Sequence, residues 1–499
     1  MLGGVSSEEP GQGAADLRLG SPAGRWVLAT TVLGSGLAML DSTVVNVALE
    51  RIGADFGASF AGLQWTINAY TLTLAGFILL GGSLGDRFGR RRIFLVGVVW
   101  FALASALCGF APSIEVLIAA RALQGIGGAL LTPGSLALIS ASFHGDDRAA
   151  AIGAWSGLAG VAGAVGPFVG GWLVEWNWRA VFLINLPVAA VVVAAALRHV
   201  PESRDPQAVP HLDIPGTALA LLGLGTLTWS LTEAGTSGAS VGVVATGVAG
   251  VAALVAFAFV ERRSRSPLVP TDLFANPRFT ALNVVTLLVY AALGVLFVLL
   301  VLQLQVVAGF SPLAAGVSTL PITVIMLLLS ARAGRLATKI GPRIPMTVGL
   351  VTAAAGMLLL LRVGVGASYL FDVLPAVLLF GLGLAATVAP LTATVLDAAD
   401  DRHAGVASGV NNAVARAAGL LAVAVIPAAA GIAGADYTNP VAFSAGYHRA
   451  VVIAACLLLG GALLSGLLLR PLRPRPPGEV NVSECAHCGV SSPQQSPRS

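Results

Sequence analysis

Apolar residues in this chain gather into long continuous runs instead of the alternating or one-faced patterns of soluble elements. Runs of sufficient length fall at 26–49, 63–84, 93–111, 114–140, 150–174, 180–197, 214–233, 241–260, 279–304, 313–331, 344–362, 372–396, 405–432 and 448–469. About 20 helical residues, rising ~1.5 Å each, match ~30 Å of hydrocarbon. Each run therefore predicts a membrane-crossing helix, fourteen in all. The leader ending at Arg25 is polar and the run after it is too long for a signal peptide, so the first helix is expected to stay as an anchor. The end segments 1–24 and 471–499 are rich in Gly, Pro and Ser and predict disordered tails.

Charge placement orients these helices. Of 28 Lys and Arg residues, Arg51, Arg179, Arg362 and Arg449 fall in one set of connections and Arg121 and Arg416 fall within runs; the remaining 22 all lie in the other set and the tails. That bias predicts both termini in the cytoplasm and a multi-pass protein of the cytoplasmic (inner) membrane. The composition agrees: 56% of residues are hydrophobic and only 10% charged, against about 25% charged in soluble domains. The net charge of +4 is then topological and predicts no nucleic-acid partner. Four cysteines give no disulfide framework. Cys108 and Cys456 read as packing residues, and the tail pair Cys485 and Cys488 lacks the second ligand pair of a structural zinc site. No metal site is expected.

The chain also repeats itself. "GSLGDRFGRRR" (82–92) and "GRLATKIGPR" (334–343) share a pattern 252 residues apart, and Asp146-Asp147-Arg148 matches Asp400-Asp401-Arg402 at 254. The count of helices between the copies predicts an all-α polytopic protein of two parallel six-helix halves, 25–200 and 266–470. The segment 201–265 then carries two linking helices. Parallel repeats suit a transporter that rocks around a midplane site.

Three charges inside the runs need an account. Asp41 sits about halfway along the first run, where a charge costs ~2.5–3.5 kcal/mol on insertion scales. It is either a structural carboxylate bonded to a neighbouring helix or a proton or cation site. Low dielectric favours the neutral form of a carboxylic acid, and an arriving cation favours the ionised form. Arg121 cannot readily be neutralised; it either snorkels to the interface or shares a network with Gln124 one turn away. Arg416, deeper in the thirteenth run after Asn411 and Asn412, is open between a structural tie and a substrate or coupling role. Ala162, Gly166 and Gly170 form a small-residue stripe beside Pro167, suited to close helix packing and a kink. In 82–92, Gly82 and Gly89 predict a tight turn, and Asp86 can pair with a neighbouring arginine.

These motifs together resemble the fourteen-helix drug:proton antiporter branch of the major facilitator superfamily. The resemblance rests on "GSLGDRFGRRR", "RALQGIGGA" (121–129), "GPFVGG" (166–171), "LDSTVVNVAL" (40–49), "WRAVFLINLP" (178–187), "LDIPG" (212–216) and "GFSPLAAGVSTLP" (309–321), and covers about 24–470. Glu50 departs from that branch's usual proline, and Ala162 from a frequent glycine. The resemblance implies a proton-coupling role for Asp41 and Arg121. It also implies a gating latch made by Gly82, Asp86, Arg87, Gly89, Arg90 and Arg91, which holds the outward-open state. Gly166, Pro167, Gly170 and Gly171 would form the antiporter bend. Candidate cavity residues are Asn46, Gln64, Asn68, Tyr70, Gln124, Gln303 and Arg416.

The function expected is a proton-driven exporter of amphipathic organic compounds, cationic or neutral, such as drugs or antibiotics. It would act as a monomer in the lipid bilayer with no cofactor beyond the proton gradient. A dedicated exporter of one endogenous metabolite, antibiotic or lipid is the alternative. No Walker motif suggests direct use of ATP. An enzyme would need clustered His, Asp or Glu, and the six histidines are scattered over loops and tail.

Overall fold

The computed structural model describes residues 17–469 apart from 206–211, 265–266, 268, 270, 400–403 and 433–438. Expectations for residues 1–16, for the C-terminal tail with Cys485 and Cys488, and for the Asp400–Arg402 copy fall outside these residues. Residues 17–24, expected to be disordered, are ordered, because Leu17 N–H donates to the Ser142 carbonyl at 3.2 Å and α1 begins at Pro22. Among the described residues every regular element is helical. The first half holds α1 (Pro22–Phe56), α2 (Phe60–Phe88), α3 (Arg90–Gly109), α4 (Ile114–Ser142), α5 (Gly145–Trp176), α6 (Ala180–Leu183) and α7 (Asn185–His199). Two helices follow, α8 (Ile214–Ser237) and α9 (Val241–Arg263). The second half holds α10 (Pro277–Leu302), α11 (Pro312–Ser318), α12 (Leu320–Ile340), α13 (Arg343–Leu359), α14 (Leu374–Asp397), α15 (Ala404–Ala429) and α16 (Pro440–Leu468).

Starts are set by local chemistry. Ser21, Ser59, Ser113, Ser240 and Ser311 each accept a bond from a backbone N–H in the first turn of α1, α2, α4, α9 and α11. Thirteen helical segments are long and apolar enough to cross a membrane, and α5, at 32 residues, also has the length. The sixth expected span is broken at Ile184 into α6 and α7, and the tenth at Thr319 into α11 and α12. A π-helical turn, Gln303–Val307, extends α10, and another, Tyr369–Val373, leads into α14. The first helix also runs through Glu50 to Phe56, beyond the expected end at 49.

Helices α1–α7 pack mainly on one another, as do α10–α16, while α8 and α9 pair and α8 lies along both α2 and α15. On α9, Val244, Val248, Val251 and Val255 form an exposed apolar stripe that only lipid would match. The halves meet where α5 packs on α11 and α12, α2 on α15 and α1 on α10. Two ends can be told apart: a basic end carrying Gly89, Arg91 and Lys339, and an opposite end carrying Phe56, Trp178 and Gln305. The halves are joined at the Trp178 end, and α2 and α15 stay together farther along, where a Cβ on Gly409 would lie 3.0 Å from Leu79. A Cβ on Gly171 would lie 2.5 Å from Leu313 Cα on α11, and Gly316 lies against the Pro167 carbonyl.

Candidate functional site

Asp41 and Arg121 meet in the interior of the first half, with 0% and 1% of their surfaces exposed. Arg121 Nη1 donates to Asp41 Oδ2 at 2.6 Å and to Gln124 Oε1 at 2.6 Å, and its Nε donates to the Thr66 carbonyl at 3.1 Å. The other carboxylate oxygen accepts from Gln124 Nε2 (2.8 Å) and Asn185 Nδ2 (3.2 Å). Both amides also donate to Ser105 Oγ, at 3.1 and 2.9 Å, and the Ser105 hydroxyl in turn donates to the Phe182 carbonyl at 2.9 Å. Cys108 Sγ donates to Gln124 Oε1 at 3.6 Å. The guanidinium stands 4.2 Å over the Tyr70 ring, a cation–π contact, and the Tyr70 hydroxyl donates to the Ala38 carbonyl at 3.4 Å.

One carboxylate thereby ties together α1, α2, α3, α4 and α7. The snorkelling alternative for Arg121 does not apply, because its whole side chain is enclosed. A buried pair of this kind holds only while both charges are present; removing one leaves the other stranded at a cost of about 3–5 kcal/mol. Protonation of Asp41 is the natural chemical perturbation, since it cancels one charge and puts a donor where an acceptor stood. Asp41, Arg121 and Gln124 stand out in the sequence. Asn185, Ser105 and Cys108 do not, although the lone amide in "FLINLP" was a usable sign.

At the basic end the expected loop shrinks to one residue: α2 ends at Phe88, α3 begins at Arg90, and Gly89 turns the chain at φ +111°. Asp86 pairs with Arg90 at 2.8 Å on this turn. Arg87 is exposed against Phe88, and Arg91 Nη1 donates to the Val200 carbonyl at 2.9 Å. Glu202, which sequence reasoning missed, caps α3 by accepting from the Arg91 and Arg92 amides at 3.0 and 3.1 Å. A Cβ on Gly89 would press on that carboxylate at 2.9 Å. Gly82, expected at the close approach, has room, its nearest neighbour being Pro133 at 3.7 Å. Gly81, one residue earlier, is the one pressed against the Ala129 carbonyl of α4.

The antiporter-bend residues face two ways. Gly166 lies against Thr43 and Gly170 against Val44, both on α1, whereas Gly171 and Pro167 face α11 of the other half. Among the cavity candidates, Gln64 Nε2 crosses between halves to the Val423 carbonyl at 2.5 Å. Gln305 crosses to the Val47 carbonyl at 3.2 Å. Gln303 does not face the space between halves: it is fully buried in the second half, bonded to the Val363 carbonyl at 2.9 Å and Ser444 Oγ at 3.1 Å. The π-helical turn that begins at this residue accompanies its inward placement. Asn46 is half-buried on α1. Asn411 ties α15 to α10 through Asn283 (3.2 Å) and Thr286 (2.8 Å). Asn68 and Arg416 remain without such bonds.

Two helical halves joined at one end, with a buried ion pair inside the first, are the architecture of a multi-pass membrane transporter. The chain belongs to the Major Facilitator Superfamily, whose family model matches residues 31–423. It is 37% identical to the puromycin resistance protein pur8 of Streptomyces alboniger over 453 residues, 89% of this chain and 90% of that one. It is 36% identical to the cephamycin export protein CmcT of Amycolatopsis lactamdurans, covering 90% of this chain and 93% of that protein. It is also 36% identical to the probable actinorhodin transporter of Streptomyces coelicolor (strain ATCC BAA-471 / A3(2) / M145), over 84% and 75% of the two chains. In fold it is similar to a bacterial homologue of the human lysosomal transporter Spinster. That match has a TM-score of 0.64 at 19% identity and covers 90% of this chain and 97% of the other.

Proposed function

We propose that this protein is a proton-coupled exporter of amphipathic organic compounds, drugs or antibiotics among them. In this reading it works in the cytoplasmic membrane with both termini inside, as a monomer and with the proton gradient as its energy source. The observation that carries the reading is the enclosed Asp41–Arg121 pair with Gln124 and Asn185 on its second oxygen. A proton reaching Asp41 competes with Arg121 for the carboxylate, and the freed guanidinium must find new partners. The helices that meet there can then settle differently, which is how a proton could bias a rocking transporter. In this reading the charge bias favours the Trp178 end as the outer one, which makes the present packing the one closed to the outside. Asp86, which pairs with Arg90 on its own turn here, would take up its latch role when the basic end closes.

The names of the relatives, which include resistance and export proteins, support drug or antibiotic efflux. Because some are named for one compound, export of a single metabolite, antibiotic or lipid is the second reading. Growth inhibition of a sensitive bacterial host, with and without expression, separates the two. Protection against several unrelated toxic compounds, abolished by a protonophore, is the expected result. Protection against one compound favours the second reading, and none against any compound contradicts export.

A further inference from the structure

Two pieces of buried hydrogen-bonding capacity are unused in the central region. Asn68 on α2 is 0% exposed, yet neither its amide nitrogen nor its oxygen has a partner. On α15, Arg416 is half-buried and its Nε is enclosed without an acceptor. Among the described residues no carboxylate lies within ion-pair distance of this guanidinium. The structural tie between α15 and α10 is made by Asn411 instead.

Helix register brings these leftovers together. Gln64 bonds to Val423, and Leu79 lies 3.0 Å from where a Cβ on Gly409 would stand, so α2 and α15 run antiparallel along their lengths. Seven residues along α2 from Gln64 is Thr71, and seven back along α15 from Val423 is Arg416. Arg416 thus enters at the level of Thr71, about one turn from Asn68, a gap that an arginine side chain spans. Asp41 is already cancelled by Arg121, so the uncompensated charge between the halves is positive.

We propose that Arg416, with the Asn68 amide, receives a deprotonated acid group of the transported compound, so that the substrate class is the amphipathic organic anion. This rests on the export reading above and replaces the sequence-based expectation of a cationic or neutral compound. A guanidinium and a carboxamide offer N–H donors to a carboxylate, and such charge-assisted bonds are the strong ones in a site shielded from water. A charge held in a membrane span without a protein partner is accounted for when the ligand supplies the partner.

The test uses the full chain in proteoliposomes under an imposed pH gradient and three dyes of one shape. They are N-dansylglycine (anion), its primary amide (neutral) and N-dansylethylenediamine (cation). The wild type is expected to concentrate the anion at least about tenfold over the other two, the discrimination a lost charge-assisted bond implies. Arg416→Gln should lose that preference and Arg416→Lys should keep part of it. Asn68→Leu should weaken the preference and carries the mutational test if Arg416→Gln does not fold. If the wild type favours the amide or the amine, or Arg416→Gln keeps the preference for the anion, the anion site is wrong while export stands. If the wild type moves none of the three, the export reading falls and the anion site with it.

Discussion

Asp41 and Arg121 respond differently to loss of the partner. Arginine stays charged under all accessible conditions, whereas an abandoned carboxylate can take up a proton. Asp41→Asn therefore strands a buried charge, while Arg121→Gln leaves a group that can become neutral. In detergent at neutral pH, Asp41→Asn should lose about 3–5 kcal/mol of stability. It should still fold, because the Thr66 carbonyl, Gln124 Oε1 and the Tyr70 ring continue to hold Arg121. Arg121→Gln should lose less, and the double variant should unfold at a higher temperature than Asp41→Asn alone. A double variant no more stable than that single would mean the two charges are not coupled. Asp86 belongs to another regime: its bond to Arg90 is part-exposed, and such pairs are worth about 0–1 kcal/mol. Asp86→Asn should leave expression and thermal unfolding unchanged and lower the transport rate. Transport at the wild-type rate would end its role as a latch.

Among the elements, α5 carries the contacts that close the Trp178 end. Gly171 leaves no space for a side chain beside Leu313 and the Pro312 carbonyl, so Gly171→Val should hold that end apart. Val47, 1% exposed and bonded through its carbonyl to Gln305, reports on it. A cysteine at position 47 should react with a membrane-impermeant maleimide several-fold faster in the Gly171→Val background. An unchanged rate would show that this contact does not hold the end shut. The spans were legible because an apolar run of bilayer length has few other readings, and Asp41 and Arg121 because a charge in such a run stands out. Breaks at Ile184 and Thr319 had a sign that went unread: Pro187 and Pro321 stand within three residues of them and cannot continue the hydrogen-bond ladder. Ser105 and Cys108 were hidden because small polar residues are common in membrane helices, and only packing selects those that serve Asp41. Gly81 was missed beside Gly82 because a one-residue shift on a helix, about 100°, decides which glycine faces α4.

Across the whole molecule, the coupling reaction depends on the topology. With the basic end in the cytoplasm, a reporter that fluoresces only there should light up when fused after Arg92 and stay dark in the 430–439 connection. A bright signal at the second site would reverse the last pair of helices. The coupling itself is the central claim. It is tested most directly by comparing two activities of wild type and Asp41→Asn in proteoliposomes, using the dansyl dye that the wild type handles best. One activity is accumulation against a gradient driven by imposed ΔpH; the other is exchange of dye for dye with no pH difference. The wild type should do both, whereas Asp41→Asn should exchange but not accumulate. Accumulation by Asp41→Asn to the wild-type ratio would place the coupling proton elsewhere and contradict the account.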